Sequence, residues 1–174
     1  CQSSASTSEI NQPDSVSVDI TTSAVSCFAG NNGTASAAAA GGTPGFTYLW
    51  LPSNTPGSTI SSLASGTYSV QVTDTKGCVK TKAFTITQPS AALSVSMSST
   101  AVSCFAGNTG TATGTVSGGT APYAYVWNPG GNSTSTITNL SSGNYTVSVT
   151  DNNGCNTSGV ITVTQPAAAL SVSG

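Results

Sequence analysis

Two stretches of the chain, "YSVQVTD" at 68–74 and "YTVSVTD" at 145–151, alternate apolar and polar side chains with a period of two. That period puts the apolar positions on one face and predicts a strand with one buried side. Val, Ile, Thr, Tyr and Trp recur at similar spacing through the rest of the chain, and no segment carries the apolar stripe of a helix. The strongest helical competitor is "ASAAAAGG" at 35–42. Alanine propensity favours helix there, but the flanking Gly and the matching "ATGTVSGG" at 112–119 favour strand, and strand is expected.

The match belongs to an internal repeat. Cys27 and Cys104 lie 77 positions apart, as do Cys78 and Cys155, and the same offset aligns "AVSCFAGN" (24–31) with "AVSCFAGN" (101–108) and "ITQP" (86–89) with "VTQP" (163–166). About half of the paired positions are identical without a gap, so one module occurs twice, at 14–90 and 91–167. In the second copy, strands are predicted near Leu93–Met97, Thr111–Ser117, Tyr123–Asn128, Ser135–Leu140, Tyr145–Asp151 and Gly159–Gln165. Between them stand "GGTAP", "NPGGN", "SSGN" and "DNNG", whose Gly, Asn and Pro supply the backbone angles of tight turns. Short strands at this spacing predict an all-β chain of two tandem immunoglobulin-like β-sandwich repeats. The motif "LxxGxY" (Leu63, Gly66, Tyr68; Leu140, Gly143, Tyr145) resembles the tyrosine corner of such sandwiches, with the ring in the core and the hydroxyl on backbone. Trp50 and Trp127 are expected in the core rather than on a sugar-stacking platform.

Composition excludes several functions. Three cations, Lys76, Lys80 and Lys82, face five acids, Glu9, Asp14, Asp19, Asp74 and Asp151, with no Arg and no His. No basic patch exists to neutralise phosphates, so nucleic acid is not an expected partner. No apolar run approaches the roughly 18 residues of a membrane span. Acid–base or nucleophilic catalysis needs titratable groups within reach of one another, and neither a His nor a carboxylate pair is present, so no enzyme and no cofactor are expected. Asp74 and Asp151 open "DTKG" and "DNNG", where an Asp beginning a turn explains them better than a calcium site does. The lysines lack counterparts in the second copy and read as a solvated strand edge that discourages unwanted pairing.

The cysteine pairs at equal spacing fit one disulfide per module, Cys27 with Cys78 and Cys104 with Cys155, and without His or CxxC a metal centre is a poor rival. Such bonds imply an oxidising, extracellular setting. The sequence "DSV" (14–16) resembles a short O-glycosylation motif at Ser15, and N-glycosylation acceptor patterns occur at Asn32, Asn132, Asn139, Asn144 and Asn156.

The ordered set "VSCFAGNxGxA", "GGTxPYxYxW", "LxxGxYxVxVTDxxGC" and "ITQP" resembles the SprB-type repeat of bacterial cell-surface proteins, known from gliding adhesins of the Bacteroidota. The resemblance covers both modules nearly end to end and departs in the first copy at Gly45 and Phe46, which stand where the second has Pro122 and Tyr123. It implies a sandwich strung in tandem along a surface fibre or adhesin, without catalysis. In that frame 1–13, with "EINQP" and Ile10, reads as the last strand of a preceding repeat, and 168–174, with Leu170 and Val172 in "LSVSG", as the first strand of a following one. Cys1 is then bonded to a neighbouring repeat; a lipidated N-terminus and a free or intermolecular thiol are the competing readings. The expected partners are copies of the chain or adjacent repeats, joined head to tail with strand donation. The alternative is a monomeric adhesive surface module, or a lipoprotein of that kind, that holds surface glycans.

Overall fold

A computed structural model describes residues 15–169, all strand and loop. Cys1, Ile10, Leu170 and Val172 lie outside the described residues. The chain divides into two compact units. The first holds residues up to Ala24 together with Asn32–Thr87; the second holds Val25–Asn31 together with Gln88 onward.

The first unit contains β1 (Ser17–Ser23), β2 (Gly33–Ala40), β3 (Thr47–Leu51), β4 (Thr55–Pro56), β5 (Thr59–Leu63), β6 (Gly66–Thr73) and β7 (Val79–Ile86). They form two antiparallel sheets, ordered β1-β2-β5 and β4-β3-β6-β7. The second unit contains β8 (Ser94–Thr100), β9 (Gly110–Ser117), β10 (Ala124–Asn128), β11 (Thr136–Leu140), β12 (Gly143–Thr150) and β13 (Asn156–Val163). Its sheets run β8-β9-β11 and β10-β12-β13. First, second and fifth strands in one sheet against third, fourth, sixth and seventh in the other is an immunoglobulin-type arrangement, and the second unit repeats it with no counterpart of the two-residue β4 among the described residues. The alanine-rich region is strand through Ala40, as the repeat required, and Gly41 and Gly42 turn the chain beyond it.

Period-two patterning builds each core. Val70 and Val72 on β6, and Val147 and Val149 on β12, are fully buried, and Val70 stands across from Trp50 as Val147 does from Trp127. Each indole is 1% exposed and donates its N–H to backbone, Trp50 to the Gly57 carbonyl at 2.7 Å and Trp127 to that of Thr134 at 2.8 Å. The tyrosine corners are present as expected: Tyr68 donates to the Ala64 carbonyl and Tyr145 to that of Ser141, both at 3.1 Å. Lys80 and Lys82 lie on the edge strand β7, where Lys82 donates to the Val18 carbonyl at 2.6 Å and stands 3.6 Å from Asp19.

The units differ in how they fill one region. Met97 in the second takes the place of Ile20, and the room comes from Gly114 and Gly159 where the first unit has Ala37 and Lys82. A Cβ on Gly159 would sit 2.8 Å from Met97 Cγ and Sδ. Gly159→Ala is therefore expected to cost about 1–3 kcal/mol by overpacking, read as a lower denaturation midpoint, and Met97→Ala in the same chain should recover part of the loss.

Candidate functional site

The chemistry-bearing residues gather in two recurring structures, the loop between the first two strands of a unit and the turn between its last two. Cys27 lies in the β1–β2 loop and Cys104 in the β8–β9 loop; Cys78 lies in the β6–β7 turn and Cys155 in the β12–β13 turn.

An aspartate organises each turn. In the second unit Asp151 Oδ1 accepts from the backbone N–H of Asn153 and Cys155, both at 2.9 Å, and Oδ2 accepts from that of Thr120 at 2.9 Å. Asp74 repeats this with Lys76 (2.9 Å), Cys78 (2.8 Å) and Thr43 (2.9 Å). Both carboxylates are buried and both turn openers were expected. Their oxygens are committed to backbone, which ties the turn to the strand connection on the other sheet. The close approach needs glycine: a Cβ on Gly119, at φ +63°, would stand 2.8 Å from Asp151 Oδ2, and Gly42 repeats the geometry against Asp74.

The Thr43 amide, then that of Cys78, holds Asp74 below the usual aspartate value of 3.8 against an opposing effect of burial. For Asp151 burial is the largest single influence and pushes upward, but the combined N–H groups of Cys155, Thr120, Asn153 and Gly154 outweigh it and the net shift is also downward. A depressed carboxylate contributes stability that is complete above the unfolded value and is lost as pH falls through the folded one. Thermal midpoints should therefore hold steady from neutral pH down to about 4 and fall below it, and Asp151→Asn should flatten that acid limb while lowering the plateau.

The loops are also alike. Gly30 N–H donates to the Cys27 carbonyl and Gly107 N–H to that of Cys104, both at 3.0 Å, with Ala29 and Ala106 at φ +58° and +56°. The side-chain carbonyl of Gln88 accepts from Ala29 N–H at 2.8 Å, and that of Gln165 from Ala106 N–H at 3.0 Å. The Gln of each "TQP" thus clamps a "CFAGN" loop.

The expected pairing of the cysteines is not the observed one. Cys27 is bonded to Cys155, with an S–S distance of 2.06 Å and Cα atoms 5.7 Å apart, while Cys78 and Cys104 are exposed thiols. Strand topology gives the reason. In the first unit Gly33, at the start of β2, lies against Ile86 and Leu63, whereas Gly42, just past the end of β2, lies against Asp74. The β1–β2 loop and the β6–β7 turn therefore sit at opposite ends of the same sandwich. The eight residues of β2 hold them roughly 26 Å apart at about 3.3 Å per residue, far beyond the ~7 Å Cα limit of a disulfide. The second unit repeats this, with Gly110 against Val163 and Gly119 against Asp151, which rules out Cys104 with Cys155. Around the observed bond, Asn153 Nδ2 donates to the Ser26 carbonyl at 3.1 Å and to Thr120 Oγ1 at 3.0 Å. Sequence reasoning missed Ser26 and Asn153; the repeat of Ser26 as Ser103 was the available signal.

The proposed acceptor residues Ser15, Asn32, Asn132, Asn139, Asn144 and Asn156 are all exposed. Asn139 stands at a bulge in β11 with φ +58°, and Asn156 donates its amide to Ser148 Oγ and Thr150 Oγ1, each at 3.0 Å. Among the described residues no helix is long and apolar enough to cross a membrane, and no group of three or more His, Cys, Asp or Glu gathers as a metal site.

The SprB repeat family matches the chain at two places, residues 20–55 and 96–132. No curated protein matches the sequence. Similar solved structures include the N-terminal eight Ig domains of Down Syndrome Cell Adhesion Molecule, 13% identical at a TM-score of 0.43 over 89% of this chain, which spans 25% of that one. The full ectodomain (Ig1–Ig3) of mouse nectin-like molecule 4 is 17% identical at a TM-score of 0.37 over 91% of this chain and 67% of its own. Domains 1–6 of the surface layer protein SbsC are 17% identical at a TM-score of 0.42 over 90% of this chain and 29% of theirs.

Proposed function

We propose that this chain, which the SprB repeat family matches at residues 20–55 and 96–132, is a structural repeat module of the cell-surface kind and a non-enzymatic building block of an extracellular filament or adhesin stalk. Its sandwiches join head to tail with further copies or adjacent repeats. The observation that carries this reading is duplication of architecture: the same strand order, indole anchor, tyrosine corner and aspartate-held turn recur at one fixed sequence offset. Repeated units that each contact only their neighbours grow by addition, and an interface that does not close into a ring yields a fibre. The disulfide supports an oxidising, extracellular location. The exposed acceptor residues support a glycosylated, hydrated surface, which a fibre with net charge −2 per chain needs in place of charge repulsion.

Negative-stain microscopy of the native material tests the reading directly. Filaments or elongated stalks with a regular axial repeat are expected. Monodisperse monomers that are retained on a glycan array would instead favour a lectin-like module.

A further inference from the structure

The observed disulfide joins the loop cysteine of one repeat to the turn cysteine of the next, at a sequence separation of 128. Cys104 is a loop cysteine and Cys78 a turn cysteine, and both are exposed thiols. We propose that Cys104 of one copy of this chain bonds to Cys78 of a second copy, so that the polymer is stapled covalently at every junction.

This rests on the head-to-tail reading and adds to it a covalent bond with named partners. Three observations carry it. Cys104 sits in a loop with the backbone hydrogen bond, left-handed alanine and glutamine clamp of the Cys27 loop, so the unbonded loop already holds the bonded conformation. Cys78 has its amide fixed by Asp74 as Cys155 has by Asp151, so the turn is equally prepared. The third is complementarity at one of the two turn positions that change. Asn153, which donates to the Ser26 carbonyl beside the observed bond, is replaced in the other turn by Lys76. A lysine is also a donor, and the carbonyl of Ser103 stands where that of Ser26 does, so the new junction keeps its hydrogen bond in charge-assisted form.

The bond forms by thiol–disulfide exchange with a small disulfide oxidant such as oxidised glutathione. The Cys104 thiolate attacks one oxidant sulfur and expels one glutathione thiolate. The Cys78 thiolate of the second copy then attacks the protein sulfur of that mixed disulfide and expels the other. Two protein thiols lose two electrons and two protons in total, and the oxidant leaves as two glutathione thiols.

The purified 174-residue chain, oxidised with glutathione and run without reductant, should give a ladder in steps of 17.0 kDa that collapses on reduction. Peptide mapping should recover Cys78–Cys104 links at least tenfold over Cys104–Cys104 and Cys1–Cys104 links, Cys1 serving as the internal competitor. Cys78→Ser and Cys104→Ser, both at exposed positions, should each cut species above the dimer at least tenfold. A statistical mixture of links, or two thiols that stay fully alkylatable after oxidation, overturns the staple. Microscopy of the Cys78→Ser/Cys104→Ser chain separates the two claims. Filaments built by it, when the parent chain also keeps both thiols alkylatable, sink the staple and leave the structural reading standing; monomers from parent and variant alike sink both.

Discussion

Trp127→Ala is expected to destabilise the second unit by about 3–5 kcal/mol, a large share of the roughly 5–15 kcal/mol that a small domain has in total. The indole is the largest buried side chain of that core, packed with Val147 and Val149, and its loss opens a cavity that the rigid β10-β12-β13 sheet cannot close. It also orphans the Thr134 carbonyl, which receives the indole N–H. Trp127→Phe keeps most of the apolar area and loses only that bond, so it should cost clearly less. Calorimetry reads both variants, and Trp50 fluorescence reports independently on the first unit. A midpoint within a degree of the parent for Trp127→Ala would contradict the central role of the indole.

Cys155→Ser, or Cys27→Ser, should cost about 2–4 kcal/mol, while Cys78→Ser and Cys104→Ser stay within about 0.5 kcal/mol of the parent as exposed substitutions do. The asymmetry is diagnostic of connectivity. One bond inside each repeat would make all four substitutions expensive; the observed bond makes only two so. Denaturation of the four single variants, each with and without reductant, decides between them, and the expensive pair should lose its reductant sensitivity entirely.

Much of the fold was legible in the sequence because local pattern and local chemistry agree in it. Alternation marked β6 and β12, glycine and asparagine marked the turns, and the duplicate copy overruled the helix propensity of the alanine run. The tyrosine corners were readable because a hydroxyl reaching a carbonyl four residues back needs only the right strand start. Other features were hidden. Ile137 and Leu140 are an odd number of residues apart and should face opposite sides of a regular strand, yet both are buried. A bulge at Asn139, in the left-handed region, slips the register and turns both inward. Nothing short of the pairing of β11 with β9 shows this.

The cysteines mark the same boundary. Sequence by itself determined that there are two copies, that each is built of strands, and where the turns, indoles and cysteines fall, since period, repeat offset and turn chemistry are one-dimensional quantities. Only the tertiary structure decided which cysteines meet. Equal spacing along the chain suggested partners within a copy, but a sandwich sends alternate connections to opposite ends, and the length of one strand keeps those thiols apart.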